Sequence, residues 1–165
     1  MDIQSILREI ADGNRHAFSD IVETYQRPLF AYLGRMGLNA SQAEETAQET
    51  FLRAWQHLAQ FDSKRASFQT WLFTIARRLA INELKRASNR LERSQGEGIT
   101  EPACTAADPP EFHEQREATQ RLQIVMARLS PEDRSLLALT YAHDLDMKTI
   151  AAIEGCSATA AKMRL

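Results

Sequence analysis

The chain has 165 residues, 44% hydrophobic and 25% charged, enough apolar side chain for a packed core and too much for a disordered chain. No apolar run approaches the ~18 residues of a membrane span, Met1 to Asp12 lacks the apolar stretch of a secretory signal, and Cys104 and Cys156 cannot build a disulfide framework. A soluble cytoplasmic protein with reduced thiols is expected. The net charge of −2 conceals a segregation: residues 61–94 carry eight cations against three acids, and 95–118 carry one against six. A compact basic block is either a solvated face or the contact surface of an anionic partner, nucleic acid foremost.

No segment alternates as a strand does; apolar residues recur at three and four, so the expected fold is all-α. Ile3, Ile6, Leu7 and Ile10 form a first short helix, closed by the Asp12-Gly13-Asn14 turn. The run Ala17, Phe18, Ile21, Val22, Tyr25, Leu29, Tyr32, Leu33, Met36 predicts a second helix, with a kink before Pro28. Ser41 and Glu44 have the spacing of a capping box for a third helix, whose buried stripe is Ala43, Ala47, Phe51, Ala54 and Leu58. After a polar loop from Phe61 to Ser67, a long helix spans about 68–89 with Phe68, Leu72, Ile75 and Leu79 inward. The stretch 95–110 holds two glycines and three prolines and reads as a linker. Beyond it, Ser130-Pro131-Glu132-Asp133 starts a helix through Leu136, Leu137 and Tyr141. Asp146 caps another carrying Ile150, Ala151 and Ile153, and Ser157 caps a last one on which Ala161 and Leu165 are placed to pack. The expected architecture is two small helical domains, 1–94 and 112–165, joined by an acidic flexible linker over 95–111.

Three constellations stand out. Residues 147–165 read helix, Gly155-Cys156-Ser157 turn, helix: a plain helical hairpin, or a helix-turn-helix with its second helix in a DNA major groove. At 100° per residue, Trp71, Arg78, Asn82 and Lys85 fall in a strip about 60° wide. A ring to stack on, an amide to read base edges and cations to meet phosphates suit a nucleic-acid strand, whereas the same residues also suit a core edge with solvated cations. On the third helix Glu44, Glu45 and Glu49 satisfy the helix dipole, yet with Gln48, Leu52 and Trp55 they also make an acidic and apolar patch fit to dock a basic helical partner. His16, His57, His113 and His143 are scattered without metal-ligand spacing, and no phosphate loop, nucleophile elbow or C-x-x-C occurs. No catalytic residue, metal or cofactor is therefore expected; Cys156 reads as a small turn residue, with redox sensing the minor option.

The run Ala43-Glu-Glu-Thr-Ala-Gln-Glu-Thr-Phe-Leu-Arg-Ala-Trp55 resembles the polymerase-docking helix of bacterial extracytoplasmic-function (ECF) sigma factors. Phe68-Gln-Thr-Trp71-Leu-Phe-Thr-Ile-Ala-Arg77 is similar to their promoter-melting helix, and Leu129-Ser-Pro-Glu-Asp-Arg134 with Ile150-Ala-Ala-Ile-Glu-Gly-Cys-Ser157 to their C-terminal helix-turn-helix domain. Asp12-Gly13-Asn14 followed by Ala17-Phe18 fits their opening, so the resemblance covers nearly the whole chain in order. It implies a promoter-specificity subunit, not an enzyme, that works in the cytoplasm with core RNA polymerase. It places contacts to the clamp of the polymerase's largest subunit on Glu45, Gln48, Glu49, Phe51 and Trp55. It places minus-ten recognition and melting on Asp62, Ser63, Lys64, Arg65, Phe68, Trp71, Arg78, Asn82 and Lys85, and minus-thirty-five reading on Ala158, Thr159, Lys162, Met163 and Arg164. It further implies promoter DNA and an anti-sigma factor as partners, no membrane insertion, and a linker whose acids mimic a nucleic-acid strand in the polymerase. Arg78 and Asn82 stand where the family often has Asn and Asp, and Ala160 and Ala161 where Thr and Val are common. The family's last helix continues with more basic residues, so a chain truncated at its C-terminus, reading the minus-thirty-five element poorly, is expected. The rivals are a two-domain DNA-binding regulator that needs no polymerase, and a helical adaptor that binds protein only, for which Trp71, Arg78 and Lys85 would be dispensable.

Overall fold

The computed structural model describes residues 3–94, 124–142 and 145–165, with side chains over 3–90, 124–141 and 145–165. Its helices are α1 (Ile3–Ala11), α2 (Phe18–Arg35), α3 (Ala40–Gln56), α4 (Phe68–Ser94), α5 (Pro131–Ala142), α6 (Met147–Glu154) and α7 (Ala158–Arg164), with short 3-10 turns at Arg15–Ala17 and Leu58–Gln60. No strand occurs among the described residues, as the all-α reading requires. The expected 95–111 linker lies outside them.

Helix α2 runs through Pro28 to Arg35 without ending. It stops at a Schellman turn: Gly37 N–H donates to the Gly34 carbonyl and Leu38 N–H to that of Leu33, with Gly37 at φ +96°. Helix α3 begins two residues earlier than the Ser41–Glu44 box places it. Asn39 is the N-cap: its side chain accepts from Gln42 N–H at 2.9 Å, and Gln42 Oε1 accepts from Asn39 N–H at 3.0 Å. The same reciprocal chemistry is met by an N-x-x-Q pair, and Ser41, in the first turn, donates to Glu45.

The apolar stripe of α3 (Ala43, Ala47, Phe51, Ala54) packs between α2 and α4, whose own buried residues include Ile21, Leu29 and Leu33 on α2 and Leu72, Phe73, Ala76 and Ala80 on α4. The inward line of α4 is therefore Phe68, Leu72, Phe73, Ala76 and Ala80; Ile75 and Leu79, expected inward, are only half-buried. Helices α5 to α7 close around Leu136, Leu139, Ile150, Ile153 and Ala161. Tyr141 and Leu165, expected to pack, point outward at 76% and 49% exposure. Helix α5 lies on α2 and α4, and α6 lies on α4, so one continuous set of buried residues runs through both units.

Candidate polymerase, DNA and interdomain surfaces

On α3 the side away from the core presents Glu44, Glu45, Gln48 and Leu52, the last 50% exposed. Glu49 is held by Arg53 one turn on, Nε to Oε1 at 2.6 Å. An exposed pair at this spacing stabilises by only ~0.3–0.5 kcal/mol, so the carboxylate is available to another cation. Trp55 is half-buried, its ring edge-on to Phe18 with centroids 5.0 Å apart. Phe51 differs from Glu45, Gln48, Glu49 and Trp55: at 9% exposure it belongs to the core.

The loop before α4 is built by Asp62. Its carboxylate accepts from Lys64 N–H at 2.9 Å, and its carbonyl from Arg65 N–H at 3.0 Å, leaving Ser63, Lys64 and Arg65 exposed at the tip. Ser67 then caps α4, accepting from Thr70 N–H at 3.1 Å. Phe61, Phe68 and Trp71 form a ring cluster with centroids 5.3–5.5 Å apart, Tyr25 adding a contact to Phe68 at 5.7 Å. Phe68 is buried (3%) and so supports the loop from beneath, whereas Trp71 is half-buried and keeps an accessible edge. A groove of about 500 Å³ opens beside this cluster between α1 and the loop, walled by Leu7, Ile10, Trp55, Leu58 and Phe61 with Ser63 at its rim.

From Trp71 the predicted strip continues over Arg78, Asn82 and Lys85, all three exposed. No ion pair engages Arg78 among the described residues. Lys85 is engaged: its Nζ donates to Glu132 of α5 at 2.8 Å. That contact holds the Glu132 carboxyl below the usual carboxylate range. In the last helix-turn-helix, Gly155 at φ +69° ends α6 with the bonds Cys156 N–H to Ala151 O and Gly155 N–H to Ala152 O, and Ser157 caps α7 by accepting from Ala160 N–H at 3.1 Å. Thr159, Lys162 and Met163 project outward, Met163 at 83% exposure, and Ala158 is half-buried. Arg164 turns back, donating to Asp133 of α5 through Nη2 at 2.7 Å and Nε at 3.2 Å. The Ser130 hydroxyl, and after it Arg164, hold the Asp133 carboxyl below its ordinary value.

Sequence reasoning missed a polar cluster where the two units meet. Arg77 donates through Nε to Glu154 Oε1 at 2.8 Å and through Nη2 to Oε2 at 3.0 Å, with the Glu154 side chain fully buried. The Ser135 hydroxyl donates to the same carboxylate. Its single proton being used, Ser135 accepts from the Tyr32 hydroxyl, 2.8 Å away. Burial pushes the Tyr32 hydroxyl well above its ordinary pKa, so it stays a donor. A signal was present: Glu154 follows Ile150 and Ala151 on the buried face of α6, where an isolated carboxylate requires a partner.

Comparison with known proteins places the chain in a family. The Sigma-70 region 2 family matches residues 21–90, the segment from α2 through most of α4. The chain is 30% identical over 165 residues to the ECF RNA polymerase sigma factor RpoE of Cereibacter sphaeroides, covering 99% of this chain and 89% of that protein. It is 28% identical to the ECF RNA polymerase sigma factor SigW of Bacillus subtilis over 100% and 91% of the two chains. The fold is shared with CnrH, solved in complex with the cytosolic domain of CnrY (TM-score 0.67, 21% identity, 98% and 88% of the two chains), and with the Bartonella quintana sigma factor RpoE, solved with the anti-sigma factor NepR (TM-score 0.65, 23% identity, 90% and 89%). The family match and the relatives thus define a sigma-70-type transcription initiation factor. The chain belongs to the ECF RNA polymerase sigma factors. No helix among the described residues is long and apolar enough to cross a membrane.

Proposed function

We propose that this sigma factor acts in the cytoplasm by purely non-covalent recognition, dividing its work among three surfaces. Glu45, Gln48, Glu49 and the edge of Trp55 grip a basic helical element on the clamp of core RNA polymerase. The loop 62–65 and the strip Trp71, Arg78, Asn82 and Lys85 hold the melted minus-ten strand, with Phe51 and Phe68 as the buried supports of these two surfaces. Thr159, Lys162, Met163 and Arg164 on α7, with Ala158 at its start, read the minus-thirty-five element. We assign the first two functions to 1–94 and the third to 112–165, with an anti-sigma factor as the regulator.

The observation that carries the reading is the strip on α4. Its aromatic end adjoins an accessible loop, and its polar part is exposed on the helix whose opposite face forms the core. Stacking on a ring is sequence-tolerant and cations meet the backbone, so such a strip retains a strand after base pairs separate. Permanganate footprinting of the reconstituted holoenzyme tests it: Arg78→Ala diminishes the reactive thymines of the bubble, and a footprint equal to the parent's removes the strip from the melting site.

A further inference from the structure

One carboxylate joins the two DNA-reading units. Glu154 binds Arg77 on α4, next to Arg78, and its Oε2 also lies 3.8 Å from Arg164 on α7. Two more pairs cross between elements in the same region: Lys85 with Glu132, and Arg164 with Asp133. The helix assigned to the minus-ten strand and the helix assigned to the minus-thirty-five duplex therefore meet through the two oxygens of a single side chain. Promoter elements so named are about 25 base pairs apart, or roughly 85 Å of duplex at 3.4 Å per step. The arrangement in this structure does not span that distance. It also places acids on two of the cations, Lys85 and Arg164, that the DNA reading requires.

Resting on the functional reading above, we propose that the Tyr32–Ser135–Glu154–Arg77 network is an autoinhibitory latch within the chain itself. It adds to the apolar seating of α5 and α6 on α2 and α4 a contact selective for this orientation, and Glu132 and Asp133 occupy Lys85 and Arg164 as phosphates would. The chemistry suits a reversible contact. An apolar junction of the same size would be as tight without being selective, whereas a buried ion pair gives back much of its attraction in lost hydration, and both partners regain water on separation. Arg77 keeps a route to solvent at 16% side-chain exposure, while Glu154 has none. Opening thus hydrates the carboxylate and uncovers a run of cations on α4 in one step. No other protein is needed to keep the chain closed, and a partner that stabilises either form shifts a balance already present.

Small-angle scattering of the 165-residue chain tests the latch, with circular dichroism as the check on folding. The parent is compact, with a radius of gyration near the ~15 Å of a globular chain this long. Glu154→Gln keeps the shape and removes the charge, and Tyr32→Phe keeps the ring and removes the donor; each raises the radius by several ångström with helicity unchanged. On a mixed-sequence DNA duplex, Glu132→Gln tightens binding by roughly two- to fivefold, the range an exposed pair supports. Asp12→Asn, an equal charge change far from the junction, serves as the reference. A parent already extended in solution overturns the latch, as do variants as compact as the parent, or equal gains from Glu132→Gln and Asp12→Asn. None of these results touches the functional reading, which fails separately if the holoenzyme does not initiate at any promoter.

Discussion

Arg78 carries a charge with no partner among the described residues, on the exposed side of α4 and one turn from Asn82, and this makes its contribution to strand binding computable. A single-stranded contact to phosphate contributes about 0.7 to the slope of log affinity against log salt. Between 50 and 200 mM salt, a fourfold rise, one such contact loses ~2.6-fold in affinity. Arg78→Ala holoenzyme should therefore bind a fluorescein-labelled single strand more weakly than the parent at 50 mM. The deficit should narrow by ~2.6-fold at 200 mM, and the fitted slope should fall by ~0.7. Asn82→Ala removes a neutral amide on the same line, so any deficit it causes should be equal at both concentrations. Anisotropy titrations across that salt range read both quantities. An unchanged slope for Arg78→Ala, or equal slope changes for the two variants, would refute the strip as a phosphate path.

The other expectations concern docking, capping and acid stability. Gln48→Lys with Glu49→Lys should lower co-purification with core polymerase while leaving helicity intact, because both side chains lie outside the core; undiminished co-purification would exclude this face. Asn39→Ala deletes one half of the α3 box and should cost ~1 kcal/mol in urea unfolding, whereas Ser41→Ala should cost far less. Asp133 has a folded pKa below its ordinary 3.8, so its stabilisation is complete above about pH 4 and lost as pH falls through the folded value. Acid unfolding of Asp133→Asn should accordingly be shallower below pH 4 than the parent's, and identical curves would show the Ser130 and Arg164 contacts to be without effect.

Helix existence was legible wherever an amphipathic period was long, as in α2 to α4. Boundaries followed when a cap had one possible author, as at Ser130, Asp146 and Ser157, each of which accepts from a backbone N–H three residues on. At α3 two overlapping pairs had the right spacing, and only tertiary placement selected Asn39 with Gln42 over Ser41 with Glu44. The outward positions of Gln48, Arg78, Asn82 and Lys162 followed from helix geometry. Burial of Phe51 and Phe68 followed from the helical period, whereas the motif that also names them records that a residue is needed and not whether it touches a partner or supports one that does. The interdomain network was the least legible part. Tyr32 and Ser135 are 103 residues apart, and Arg77 and Glu154 are 77 apart, so no local period joins them. The composition of the linker suggested independent domains, and the direct seating of α5 and α6 on α2 and α4 rests on side chains that each look ordinary in their own helix.

The account stands most directly on transcription from a library of randomised promoters with purified core polymerase. With the chain added, start sites should appear that core alone does not use. Their upstream sequences should share two elements at fixed spacing, and the signal should fall when Gln48 and Glu49 are replaced by Lys or Arg78 by Ala. Binding of the free chain to a specific duplex, with no start site that depends on it, would contradict the account and leave a DNA-binding regulator that works without polymerase.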